Sequence, residues 1–174
     1  MHIPSKSRVI RFLLWVAVLL WMAVIFSLSA QEASQSSSLS GSTIRKVVEI
    51  TQPGFRELPV ELQDSTVADF QHMARKTAHA LAYLVLGVLS VSTLLQYPSG
   101  GGVRFAAALA VCIGYAGTDE VHQLFVPGRS GQIGDVCIDA GGALVGILIV
   151  LLIHWMRRRR RGKKREQGQS VSIM

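Results

Sequence analysis

The sequence predicts an all-α membrane protein: four transmembrane helices, both termini cytoplasmic, and a polar cluster at the outer face. Three observations carry that expectation. The 174-residue chain, 49% apolar, has a positive mean hydropathy of +0.37 and long runs free of charge, and it is the last two that mark a bilayer-spanning chain rather than a water-soluble one. Four stretches, about 12–29, 78–95, 105–124 and 136–155, approach the roughly 20 apolar residues that cross a hydrocarbon core. The 18 Lys and Arg residues are also unevenly placed. Lys6, Arg8 and Arg11 flank the first span, and eight more, in Arg157 to Arg161 and Lys163 to Arg165, follow the last. Basic residues gather on the cytoplasmic side of membrane proteins, so an even number of spans with both ends inside is expected. Arg104 falls in the inner turn. Arg45, Lys46, Arg56, Arg75, Lys76 and Arg129 fall outside, with ten of the eleven acidic residues. The formal charge of +7 is thereby a topology signal that meets anionic lipid, and nucleic acid is not an expected partner. The length allows one domain, here 8–156, followed by a basic tail, 157–174, read as disordered.

Taken in order, the first span is the apolar run from Phe12 to Leu28. Ser27-Leu28-Ser29-Ala30 resembles a signal-peptide cleavage site, but the run is longer than the roughly 7–15 residues of a signal core, so the span is read as retained. Segment 30–75 is the one sizeable soluble portion. Its Ser-rich start, Gln31 to Ser38, reads as flexible, and Thr43 to Ile50 as a short amphipathic helix presenting Ile44, Val47 and Val48. Pro53-Gly54 and Pro59 mark turns, and a second short helix is expected from about Asp64 into span two. The segment is expected to cover part of the outer face. Tyr97-Pro98-Ser99-Gly100-Gly101-Gly102 makes a tight inner turn. Cys112 and Cys137 differ too much in depth for a disulfide and read as small hydrophobes.

Span two opens with His72, Lys76, His79 and Tyr83 at spacings of 4, 3 and 4, one face of a helix. Span four repeats that period in Asp135, Asp139, Gly142 and Gly146, two carboxylates above a glycine groove that admits a neighbouring helix. Span three is apolar only from Phe105 to Gly117 before Asp119 and Glu120. These lie roughly 22–24 Å along it, near the outer interface. Glu120 and Gln123 are expected to face inward, with Asp119 and His122 nearer the edge. The turn Pro127 to Gly131 is expected to hold Arg129 above the carboxylates, with Arg129 and Lys76 as counter-ions for Glu120, Asp135 and Asp139.

Ionisable groups within spans are costly without partners and mark functional sites. The alternative is a charge-paired plug that only fixes helix register, although buried ion pairs hold helices together poorly compared with apolar packing. Binding candidates are Lys76, His79, Tyr83, Glu120, Gln123, Arg129, Asp135 and Asp139. Lys76 and Arg129 suit phosphate or carboxylate, so membrane lipids or a lipid-linked or cell-wall ligand are the expected partners. An enzyme would use His79, Glu120 or Asp135 for acid–base work, yet neither Gly-x-Ser-x-Gly nor His-Glu-x-x-His occurs. A metal or proton site could use His79, Glu120, Asp135 and Asp139, but the nearby Lys76 and Arg129 disfavour an ion. No cofactor is expected.

These residues resemble the VanZ-like family of small bacterial membrane proteins. The matching positions are Ile25-Phe26-Ser27, Ser29 and Gln31 closing span one, then Lys76, His79 and Tyr83. They continue as Glu120, Gln123, Phe125, Pro127-Gly128-Arg129, Asp135, Asp139, Gly142 and Gly146. The resemblance covers nearly the whole chain except the tail, and Glu120 to Gly146 is its specific part. Asp139 stands where Asn is expected in many relatives, which adds a charge. The resemblance implies a four-helix architecture, a polar outer-face site and a role at the bacterial envelope, in the cytoplasmic membrane. The namesake is associated with low-level resistance to the glycopeptide teicoplanin; the resemblance thus implies a link to the glycopeptide antibiotic response, while resistance itself is not transferred as this chain's role.

Overall fold

The computed structural model describes residues 5–30, 33–127 and 131–171. Among them are five α-helices and no strand: α1 (Ser5–Ser29), α2 (Ala33–Thr51), α3 (Val60–Leu94), α4 (Gly101–Gln123) and α5 (Ile133–Val171), with a single 3-10 turn at Phe55–Glu57. Helices α1, α3, α4 and α5 are each long and apolar enough to cross a membrane. A helix satisfies its own backbone polar groups, which the hydrocarbon core requires. Large apolar side chains such as Phe12, Leu19, Leu20 and Leu152 stand more than half exposed on these helices. In water they would form an aggregation-prone surface; in a bilayer they are the solvent contact.

Side-chain ties fix how the helices run. Ser29, at the end of α1, meets Asp119, at the end of α4, and Lys76 on α3 meets Asp135 in the first turn of α5. At the opposite end Trp15 Nε1 donates to the Tyr97 hydroxyl at 3.1 Å. Thus α1 and α4 run one way, and α3 and α5 the other. One end of the bundle carries α2, and the other the Arg157–Arg161 run. Two further bonds seat α1: Trp21 Nε1 to the Ala82 carbonyl at 2.8 Å and the Tyr115 hydroxyl to the Met22 carbonyl at 2.5 Å.

The broadest interface joins the parallel pair α3 and α5. Glycine makes it possible. A Cβ on Gly142 would collide with the Ala80 carbonyl, one on Gly146 with the Leu84 carbonyl, and one on Gly87 with the Ala143 carbonyl. The expected glycine groove is therefore present and accepts the backbone of α3. Around it Val18, Ile25, Tyr83, Leu86, Cys112, Ala116 and Ala143 form the main core, continued by Val91, Ala108 and Ile147. Cys112 and Cys137 are free thiols.

Three segments differ from expectation. The Ser-rich stretch expected to be flexible is helical, since α2 begins at Ala33 rather than near Thr43. No proline or β-branched residue interrupts Ala33 to Ser42, and the propensity of serine, though weak, permits a helix. The short helix expected from Asp64 is instead the start of α3, which runs unbroken for 35 residues from Val60 after Pro59. Helix α5 continues through the basic run to Val171, where disorder was expected; Arg, Lys, Glu and Gln are good helix formers.

Helix α2 packs along the first turns of α3 around its own small core of Val48, Phe55 and Val67. Gly54, at φ 83°, supplies the left-handed turn between them. Arg45 donates to Gln63 at 2.9 Å, and Glu49 holds the Arg56 guanidinium above its ordinary pKa through a 2.8 Å hydrogen bond.

Candidate functional site

At the α2 end of the bundle, polar side chains from α1, α3, α4 and α5 converge. The parallel pair α3 and α5 contributes matched rungs. Lys76 Nζ lies 2.6 Å from Asp135 Oδ1, and one turn deeper His79 Nδ1 lies 3.8 Å from Asp139 Oδ2. The 3.8 Å separation exceeds hydrogen-bond reach. Tyr83 follows on the same face of α3, fully buried, with no hydrogen-bond partner for its hydroxyl among the described residues. Its ring is tilted against that of Tyr115, with centroids 6.2 Å apart.

Helix α4 brings Asp119, Glu120 and Gln123, all buried. The expectation that Asp119 sits at the edge is corrected: it is 2% exposed, more enclosed than Glu120 at 8%. Two adjacent residues can both face inward because α4 packs against α1 as well as α3 and α5. The Asp119 side turns to α1, where Ser29 Oγ donates to Oδ2 at 2.7 Å. Gln123 Nε2 reaches the same oxygen at 3.5 Å, while Oδ1 is buried without a hydrogen-bond partner among the described residues. His122 stacks on Phe26 of α1, centroids 4.2 Å apart.

Glu120 turns the other way. Its Oε1 accepts the Gln132 backbone N–H at 2.5 Å, which ties the end of α4 to the approach to α5. Lys76 is therefore the counter-ion of Asp135 rather than of Glu120. Arg129 falls, with Gly128 and Ser130, outside the described residues, so its expected position over the carboxylates does too. Of the acid–base candidates, Glu120 is engaged by a backbone amide, Asp135 by Lys76, and His79 faces Asp139.

Lys76, His79, Gln123, Asp135 and Asp139 line a narrow cleft of about 20 Å³ together with Arg75 and Ile138, enough for about one water-sized occupant. Beside it a broader groove of about 570 Å³ runs along Asp69, His72, Met73, Lys76, Thr77, Ala80 and Ile138. Lys76 and Ile138 belong to both. Arg75 Nη2 donates to His72 Nδ1 at 3.0 Å, so Arg75, His72 and Lys76 stand together where cleft and groove join. Arg75 and Asp119 stood in the charged clusters of the sequence but not among the candidate site residues, and helical spacing gave no sign of Ser29. Ser29 lay within the family resemblance, the one signal that pointed to it.

A family model described as VanZ/LLP1 matches residues 14–154. No significant match is found among curated proteins or solved structures. That family match takes in α3 and α4 whole, most of the apolar lengths of α1 and α5, and every described residue of the site; the chain is a multi-pass membrane protein that belongs to the VanZ-like family.

Proposed function

We propose that the protein acts at the bacterial envelope by binding a phosphate-bearing lipid or lipid-linked cell-wall precursor in the groove between α3 and α5, its headgroup on Lys76. The carrying observation is the double membership of Lys76. It joins a narrow polar cleft to a broad groove that includes Met73, Ala80 and Ile138, which suits a charged head attached to an apolar chain. Arg75 adds positive charge at the junction, oriented by its contact with His72, and an ammonium beside a guanidinium is a common phosphate-binding pair. The positive-inside bias of the eleven basic residues at the two ends supports cytoplasmic termini and an outward-facing cleft in the cytoplasmic membrane.

Native mass spectrometry of the full chain released gently from membranes tests the proposal. A phospholipid or lipid-linked precursor adduct is expected on the wild type and is expected to fall sharply in Lys76→Met. The adduct's mass separates the two sources. Absence of any phosphate-bearing adduct, or equal retention by Lys76→Met, would overturn it.

A further inference from the structure

Below the Lys76–Asp135 rung, the floor of the cleft has a different chemistry. His79 from α3, Asp119 from α4 and Asp139 from α5 each offer one ligand-type atom, all within 4.8 Å of one another. Asp119 and Asp139 are 2% and 3% exposed. Two carboxylates enclosed at membrane depth require a compensating positive charge. Among the described residues no Lys or Arg pairs with either, and the one basic group in ion-pair range is His79, 3.8 Å from Asp139 and not in range of Asp119; Lys76 is held by Asp135, Arg45 by Asp64 and Arg56 by Glu49.

The hydrogen bonding is also incomplete in a directed way. Ser29 occupies Asp119 Oδ2, leaving the buried Oδ1 without a partner among the described residues. His79 Nδ1 and Asp139 Oδ2, at 3.8 Å, are too far apart for a hydrogen bond. They are spaced as two ligands of one ion are, since bonds of about 2.0–2.2 Å put neighbouring ligand atoms about 3–4 Å apart. Tyr83 gives an independent indication. Its side chain is wholly buried, its hydroxyl lacks a partner among the described residues, and it lies within electrostatic range of both Asp119 and Asp139. Buried tyrosine hydroxyls ordinarily find a partner, so this one is aimed at a site for a polar occupant.

We propose that His79, Asp119 and Asp139 bind one divalent cation of the zinc or manganese type. A charge of +2 balances two carboxylates beside a neutral imidazole. The mixed nitrogen and oxygen donors suit such an ion better than calcium or magnesium, which prefer oxygen alone. Ser29 orients Asp119 as an outer partner, Tyr83 is placed to hydrogen-bond an ion-bound water, and the cleft of about 20 Å³ leads solvent to His79 and Asp139. Lys76, which at the level of sequence argues against an ion, is engaged one turn away. The site stands independently of lipid binding in the groove.

The test uses the full chain, purified in detergent with a tag free of histidine and stripped with chelator, then titrated calorimetrically with Zn²⁺ or Mn²⁺ alone. Saturable binding of about one ion per chain and a higher melting temperature are expected. Ser29→Ala is expected to weaken affinity by roughly 10–100-fold, as loss of an outer partner does, and Asp119→Asn and His79→Gln by more. Lys76→Met, which removes the proposed headgroup contact, is expected to keep the ion, so the two proposals fail separately. No saturable binding of either ion by the wild type, or undiminished binding by His79→Gln, would overturn the site. His79→Gln and the wild-type stoichiometry decide the matter even where Asp119→Asn does not fold.

Discussion

Gly142 and Gly146 do what no other residue type can at their positions, because carbonyls of α3 lie where their Cβ atoms would be. Replacing either by Ala forces two packed backbones apart, and overpacking of this kind costs about 1–3 kcal/mol. Gly114 makes a clean contrast, as a Cβ there meets nothing within 4 Å, and Ala in a helix gains up to about 1 kcal/mol over Gly. Thermal melts in detergent are expected to show Gly142→Ala well below the wild type and Gly114→Ala at or above it. The carboxylates separate in the same way. Glu120→Gln keeps an acceptor for the Gln132 amide and strands no cation among the described residues, so folded yield is expected to hold. Asp135→Asn leaves Lys76 unpaired in a pair about three-quarters buried. Its expected cost lies between the roughly 1 kcal/mol ceiling of an exposed pair and the roughly 3 kcal/mol floor of a buried one. Both variants can be ranked in one melting series, and a lower melt for Glu120→Gln than for Asp135→Asn would contradict these partner assignments. The rungs of Lys76, His79, Asp135 and Asp139 were legible in the sequence because helical period alone sets them on facing stripes. Asp119 was not, because its burial depends on a partner 90 residues away, on α1, which local spacing cannot register.

At the scale of elements, the four spans were legible because a bilayer demands length and apolarity, and both are written in consecutive residues. Helix α2 was only partly so. Its apolar side at Ile44 and Val48 announces itself, but its first turns consist largely of serine, and their helicity rests on context. That dependence makes α2 separable. Its core of Val48, Phe55 and Val67 is distinct from the core of the bundle, and cutting a buried Phe to Ala costs about 3–5 kcal/mol where it packs. Phe55→Ala is expected to speed amide exchange and proteolysis within α2 while the melting of the bundle barely moves. A comparable fall in both would mean that α2 and the spans unfold as one unit. The lengths of α3 and α5 belong together here. At 35 and 39 residues they extend roughly 52 and 58 Å, well beyond a core about 30 Å thick. Helix α3 overhangs at the α2 end, and α5 at the basic end.

For the whole molecule, the alternation of helix directions and the basic ends yield a topology that labelling can check. In a Cys137→Ser background, a cysteine at exposed Ser65 is expected to react in intact cells with an impermeant thiol reagent, and a cysteine at Ser170 only after lysis. Labelling of the Ser170 position in intact cells would reverse the orientation and turn the cleft inward. The Ser29–Asp119 bond also bears on biogenesis. With a sequence separation of 90 and synthesis at about 5–20 residues per second, Ser29 is added to the chain roughly 5–18 s before Asp119. Helix α4, the least apolar of the four, then has to carry a carboxylate into lipid, and a hydroxyl already waits there to receive it. On that order the first span is in place to receive the third, α4, and the order of synthesis along the chain is expected to become an order of assembly.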